Sequence, residues 1–375
     1  MEELPRRISN PFTPAFGSMP YALAGRGELI DDVLEGLANQ VGDPNRCTIF
    51  IGPRGSGKTV LLRAIARYAS EQGWISVSVS AKDGMLDKIR QLAHANASHL
   101  LKSKGESTIT SVQIGPIALS REKQHEEVPW WLDMRNIVTE LNAQGVGLLV
   151  TVDEVDPNCK ELIDYIDTYQ SFVSEGRDVA LLMAGLPGQV MSLLLDKNVS
   201  FVRRAFQRPL LAIDQLEVEE ALIDTLASKG KSIDDEALAI AAKATRGFAF
   251  AIQLVGFFLW RYSRGRDVVT VEDAERAAVR SARELERAVL EPTLQELSQR
   301  ELQYVQAMAV DDGPSSTSEV AHRMGIGMTN GANIKKRLIA HGVVREIKMG
   351  VVDFLMPTMR EYVRRRDTSG DVFAG

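Results

Sequence analysis

Hydrophobic and polar positions divide this chain into stretches of different rhythm. Short, continuous apolar runs recur at Cys47–Ile51, Ile75–Val79, Gly147–Asp153, Val179–Gly185 and within Ala205–Ile213. Runs that are apolar on both faces belong to strands in the middle of a parallel sheet. Amphipathic stretches follow them at 60–68 and lie near 83–104, 130–144, 158–174 and 187–197. Strands alternating with helices predict an α/β fold whose parallel sheet is covered on both faces. Thr108 to Ser120 departs from this rhythm, alternating around Gly115-Pro116. It predicts a hairpin decorating the sheet edge, with a partner contact as the alternative.

Beyond residue 214 the pattern turns helical, with helices expected near 217–228, 234–245, 247–263 and 270–288. Thr270 caps the last of these, with Glu272 and Asp273 in its first turn. These four predict a small all-α lid. Pro292 is read as a break and a boundary. Past it, Ser298-Gln299-Arg300-Glu301-Leu302 opens a helix that runs to about Ala309. A short helix at 318–324 and a third helix at 329–341 follow, separated by Gly325-Ile326-Gly327, and then two short strands around Met349-Gly350. Three helices and a hairpin form a winged helix-turn-helix pattern. The expected units are therefore an α/β core at 1–214, the lid at 215–291 and the winged helix at 292–375.

Composition narrows the setting. The 375 residues suit two or three domains, and 45% hydrophobic with 25% charged residues is ordinary for globular chains. A net charge of −6 argues against a wholly basic nucleic-acid binder, though not against a local basic patch. Two cysteines, Cys47 and Cys159, offer no disulfide framework, so a reducing, cytoplasmic compartment is expected. The five histidines show no metal-ligand spacing with cysteine. The N-terminus carries no apolar signal region, and the most apolar run, Phe248 to Trp260, is too short to span a bilayer.

Chemistry enters between the first strand and the first helix. Gly52-Pro53-Arg54-Gly55-Ser56-Gly57-Lys58-Thr59 fits G-x-x-x-x-G-K-[ST], with Val60 starting the amphipathic stretch. Gly52, Gly55 and Gly57 are expected at φ > 0, wrapping the backbone around an anion. Backbone N–H groups and the helix N-terminus would then face a phosphate. Lys58 would neutralise the β- and γ-phosphates of ATP, and the Thr59 hydroxyl would reach Mg²⁺. The strand Gly147 to Asp153 ends in Asp153-Glu154, and an acid at such a strand end lies beside the phosphate loop. Asp153 is the candidate metal-shell ligand and Glu154 the candidate for polarising the attacking water.

These features resemble an AAA+-type ATPase of the prokaryotic Orc/Cdc6-like and archaeal-ATPase group with a C-terminal winged helix. Gly52 to Thr59 matches Walker A and Leu148 to Glu154 matches Walker B. Asn10-Pro11-Phe12 and Ala24 to Ile30 resemble the segment that packs near the adenine. Phe201-Val202-Arg203-Arg204-Ala205-Phe206 resembles the stretch that carries an arginine finger, which implies Arg204 as a catalytic residue acting across a homo-oligomer interface, with Arg203 and Arg208 as weaker candidates. Thr245 to Phe250 resembles the helix start where the lid meets the nucleotide. Two departures stand out. The sensor 1 strand ends in Met183-Ala184-Gly185 with no polar side chain, and the sensor 2 region carries Phe248 and Phe250 with only Arg246 nearby. The resemblance therefore implies secure ATP/ADP binding and slow, switch-like hydrolysis.

In the third unit, Lys335, Lys336 and Arg337 cluster on the presumed recognition helix, flanked by Arg323, Arg345 and Lys348. Between residues 322 and 349 the only acid is Glu346. This locally basic element suits double-stranded DNA, read mostly at phosphates, with Asn330 and Asn333 as side chains able to read bases. Arg364-Arg365-Arg366 is expected to be a solvated charge run. Two function classes fit: an ATP-dependent switch that binds or remodels DNA, or a nucleotide-gated scaffold whose winged helix contacts protein.

Overall fold

The computed structural model describes residues 9–15, 17–101, 129–197, 199–356 and 358–368. The expected hairpin at 108–120 and the extreme N-terminus lie outside the described residues.

Five parallel strands form the central sheet in the order β2-β3-β4-β1-β5. They are β1 (Cys47–Ile51), β2 (Ile75–Ser80), β3 (Leu148–Asp153), β4 (Val179–Gly185) and β5 (Phe206–Pro209). The continuous apolar runs account for the centre of this order, because β4 is buried along its whole length and β3 at every position but its terminal Asp153. Successive side chains alternate between faces. Leu148, Val150 and Val152 join one apolar layer with α3 (Met85–Asn96), α4 (Trp130–Asn142), α5 (Lys160–Ser174) and α6 (Pro187–Leu195). Leu149, Ala180 and Leu182 join the opposite layer with α1 (Gly27–Ala38) and α2 (Lys58–Glu71). The edge strand β5 is shorter than its apolar run predicts, spanning four residues of 205–213.

The helical rhythm after residue 214 becomes α7 (Gln215–Ala227), α8 (Asp235–Thr245), α9 (Ala249–Tyr262) and α10 (Val271–Leu285). A short parallel pair, β6 (Ser232–Ile233) with β7 (Val268–Val269), ties two of its loops together. Thr270 and Asp273 form the reciprocal cap of α10.

Pro292 does not break the chain as expected. One π turn (Glu286–Leu290) runs from α10 directly into α11 (Glu291–Gln295), where Pro292 occupies a first-turn position.

The last unit comprises α12 (Gln299–Ala309), α13 (Thr317–Arg323), α14 (Met328–Ala340) and α15 (Met359–Thr368). A three-stranded antiparallel sheet runs in the order β8-β10-β9, from β8 (Ser315–Ser316), β10 (Val351–Phe354) and β9 (Val344–Lys348). Ser298 and Glu301 form a second reciprocal cap, at α12. A single apolar cluster runs from the lid through Leu285, Val289 and Leu294 into α12, α14 and α15. The arginines 364–366 are not a solvated run. Arg364 donates to the carbonyls of Ala309, Val310 and Asp311, and Arg365 pairs with Glu286, so α15 stitches the two helical regions together.

Candidate nucleotide site

The loop between β1 and α2 closes on itself. Gly55 and Gly57 adopt φ of 77° and 91°, the left-handed region that glycine enters without steric cost. Gly52 does not, contrary to expectation. It is required by close approach, since a Cβ there would lie 2.5 Å from Ser56 Oγ. The Ser56 hydroxyl donates to Pro53 O at 2.9 Å and holds the turn. Lys58 stands at the start of α2, its Nζ donating to the carbonyls of Gly52 and Pro53, both at 2.8 Å. Burial pulls the Lys58 ammonium down to about 8, with Asp153 opposing the shift and Arg54 adding to it.

Strand order brings the second motif alongside. Asp153 ends β3, two strands from β1, and its Oδ2 accepts from Thr59 Oγ1 at 2.5 Å. Glu154, the next residue, is held at φ 55°, an uncommon conformation for a side chain of its size. Its N–H donates to Asp153 Oδ1 at 2.9 Å, and the residue is exposed and lines the cleft.

The cleft has a volume of about 710 Å³. Arg54, Gly55, Ser56, Gly57, Lys58, Thr59 and Val60 all line it, together with Asp153 and Glu154. Gly52 and Pro53, whose carbonyls accept from Lys58, do not line it. Apolar Leu23, Ala24, Ile213 and Ile252 supply the non-polar part of the wall. The N-terminal segment is anchored on α9: Thr13 N–H donates to Gln253 Oε1 at 3.1 Å and Asn10 Nδ2 to Phe257 O at 3.1 Å. Phe12 is buried against Gly256, where any Cβ would collide with its ring.

Solved structures share this fold. The Walker-type ATPase PABY2304 of Pyrococcus abyssi is 15% identical, over 91% of this chain and 96% of that one, with a TM-score of 0.66. The ORC2 protein of Aeropyrum pernix in its ADPNP–ADP complexes is 15% identical, over 97% and 99% of the two chains, with a TM-score of 0.61. The chain has the fold of the Orc/Cdc6-like AAA+ ATPases. Residues 287–363 also match a family described as Domain of unknown function (DUF8462). Among curated proteins no relative matches.

The strand β4, next to β3 in the sheet, ends in Gly185, which also lines the cleft. A Cβ at Gly185 would stand 3.0 Å from both Val155 and Val190, so this backbone leaves little room for a polar side chain at the end of β4. Arg246 does not line the cleft. It caps α8 at φ 49° and pairs with Glu361 of α15 at 3.1 Å. Arg26, inside the segment Ala24 to Ile30, and Gln189, which sequence reasoning missed, both line the cleft. Arg26 is buried, donates to Leu211 O at 3.0 Å, and has its guanidinium pulled down by burial while Glu217 opposes the shift. Gln189 lies in no recognisable motif, so only the fold could reveal it.

Of the three finger candidates, Arg203 donates to Leu194 O and Arg208 pairs with Asp32 at 2.8 Å. Arg204 is exposed, lines neither described cavity and makes no ion pair among the described residues.

The basic residues of the last unit divide in two groups. Lys335 pairs with Glu346 at 2.9 Å, Arg337 with Glu301 at 3.2 Å and Arg323 with Asp311 at 2.6 Å. Lys336, Arg345 and Lys348 are exposed and unpaired among the described residues. Asn330 and Asn333 are exposed on α14, and Met349 at the β9–β10 turn is 95% exposed. No described helix is long and apolar enough to cross a membrane.

Proposed function

We propose that this chain is an ATP-binding, slowly hydrolysing switch that uses its C-terminal unit to bind double-stranded DNA. The observation that carries the nucleotide reading is the Thr59–Asp153 hydrogen bond beside Lys58 in the glycine loop. A hydroxyl and a carboxylate brought together at a phosphate loop suit the Mg²⁺ that accompanies ATP, which neutralises phosphate charge when bound. Lys58, freed from the two carbonyls it now contacts, would bind the β- and γ-phosphates. Backbone N–H groups of Gly55 to Val60 would cradle the phosphates. Leu23, Ile213 and Ile252 would enclose the base. Glu154 would orient the attacking water, and its strained backbone fits a group held for function.

Slow turnover follows from Gly185 and from the orientation of Arg246 toward α15 rather than the cleft. Arg204 would complete the site of a second copy of this chain, which makes the active species a homo-oligomer. The boundaries 1–214, 215–291 and 292–375 are retained as the ATPase core, lid and winged helix. The shared apolar cluster means that the last two act as one body. The test is nucleotide titration with and without Mg²⁺. Thr59→Ala should lose the Mg²⁺-dependent part of ATP affinity, and equal curves for both proteins would refute the site.

The DNA reading rests on the exposed face of α14, where Asn330, Asn333 and Lys336 stand free. A specific observation favours the scaffold reading as well: Lys335, Arg337 and Arg323 already have carboxylate partners. DNA-stimulated ATPase activity separates the two.

A further inference from the structure

The first turn of α6 faces two ways. On one side Gln189 lines the cleft together with Lys58, Asp153 and Glu154. It is half-buried, and its amide makes no hydrogen bond among the described residues. On the other side Gly188 meets α14 backbone to backbone. A Cβ on Gly188 would lie 1.9 Å from Ala340 Cα and 2.4 Å from Ala340 Cβ. Just beyond, Gly342 lies against the same turn and the glycine loop. A Cβ there would be 3.5 Å from Leu186, 3.6 Å from Pro187 and 3.9 Å from Pro53 Cα. The turn that presents Gln189 to the cleft is therefore the turn on which the C-terminal end of α14 rests.

We propose that this turn is a γ-phosphate relay, in which Gln189 contacts the terminal phosphate and its water, and Gly188 transmits the position of α6 to α14 through Ala340. The inference rests on the nucleotide reading above. A primary amide suits the first task, since its NH₂ can donate to a phosphate oxygen while its carbonyl accepts from water. It stands one helical turn beyond Gly185, whose tight surroundings exclude a longer side chain. The second task follows from packing. Backbones in direct contact cannot slide by small amounts without repacking, so a shift of the turn becomes a discrete change at α14.

The test uses the full chain with Mg²⁺ and compares ATPγS with ADP. Gln189→Ala should keep wild-type ADP affinity, lose about tenfold in preference for the triphosphate, and lose about a hundredfold in ATP turnover. Gln189→Glu, of equal size, should weaken the triphosphate more than the diphosphate because it adds charge beside the terminal phosphate. Amide hydrogen exchange gives an independent readout. In wild type, ATPγS but not ADP should change exchange across Leu338 to Val343, and Gln189→Ala should abolish that response. Gly188→Ala should keep nucleotide discrimination and lose the response. Unchanged triphosphate preference and turnover in Gln189→Ala would overturn the relay and leave the nucleotide site standing, as would a normal exchange response in Gly188→Ala. A wild type that binds neither nucleotide would overturn the nucleotide reading, and the relay with it.

Discussion

Nucleotide affinity should fall with rising pH above about 8, because Lys58 loses its charge there in the empty site. An ordinary lysine titrates near 10.5, and burial holds this one at about 8. That shift of roughly 2.5 units corresponds to about 3 kcal/mol spent on keeping an ammonium in the cleft, to order of magnitude. A bound phosphate would restore the charge by supplying the anion that the two carbonyls only imitate. With a folded value near 8, Lys58 is about 90% charged at pH 7 and about 10% charged at pH 9. If only the charged form binds well, affinity drops about tenfold over that interval, or about 1.4 kcal/mol. Stability of the empty protein moves the other way. The depressed value costs stability below pH 8, and that cost is relieved as pH rises from about 8 to 10.5.

The assay is calorimetry with MgATP from pH 7 to 9.5, in two buffers of different ionisation enthalpy. Phosphate itself is fully ionised over most of this range, its second pKa lying near 6. Near pH 9 binding should take up close to one proton. Lys58→Arg, whose guanidinium stays charged, should bind more weakly in absolute terms and show no slope. A flat wild-type profile between pH 8 and 9.5, or a slope that persists in Lys58→Arg, would refute the reasoning.

Other outcomes follow from the same geometry. Glu154→Gln should keep MgATP binding and lose about two orders of magnitude in single-turnover hydrolysis, whereas Asp153→Ala should weaken the Mg²⁺-dependent binding itself. Glu154→Gly should raise thermal stability by about 1 kcal/mol in differential scanning calorimetry, because glycine accepts φ 55° without strain, and a lower melting point would contradict that account. Mixing Arg204→Ala with Lys58→Ala protein should recover part of the activity if the guanidinium acts across an interface. No recovery in mixed oligomers of confirmed composition would assign Arg204 to the solvated surface. Lys336→Glu should lower the slope of log duplex affinity against log salt by about one in an anisotropy titration. An unchanged slope would remove this face of α14 from the DNA surface.

Much of the fold and part of the site could be read directly from residue order. Walker A and Walker B are local spellings, and the all-buried pattern of β3 and β4 fixes them at the sheet centre, so the approach of Asp153 to Thr59 followed from topology. Capping signals at Thr270 and Ser298 also read correctly, since a cap is settled within four residues. What failed was non-local. Pro292 looked like a terminator, because the preceding π turn that lets one helix lead into the next has no sequence signature. The three arginines after residue 363 looked like solvated charge, because the carbonyls of Ala309 to Asp311 that receive Arg364 are more than fifty positions away. Gly52 matched the motif for a different physical reason than the one assumed. Gln189 gave no signal at all, since one glutamine on an amphipathic helix is ordinary until the fold sets it beside two acids.

The paired lysine and arginines of the last unit do not oppose DNA binding as strongly as their distances suggest. Partly exposed ion pairs typically contribute between 0 and 1 kcal/mol, so a phosphate can replace a carboxylate partner at small cost. The Lys335–Glu346 pair joins α14 to the strand that leads to the exposed Met349, and it leaves Lys336 unpaired among the described residues. Arg337 is different, because its partner Glu301 is nearly buried and also caps α12. Drawing Arg337 onto a phosphate would leave that carboxylate with its cap bonds alone. The expected DNA surface is accordingly Lys336, Arg345 and Lys348 with Asn330 and Asn333, and Arg337 belongs to the framework. Arg337→Ala should then lower thermal stability while leaving the salt slope of duplex binding unchanged. The opposite pattern, a reduced slope at constant stability, would move Arg337 to the DNA contact and make the Glu301 pair incidental.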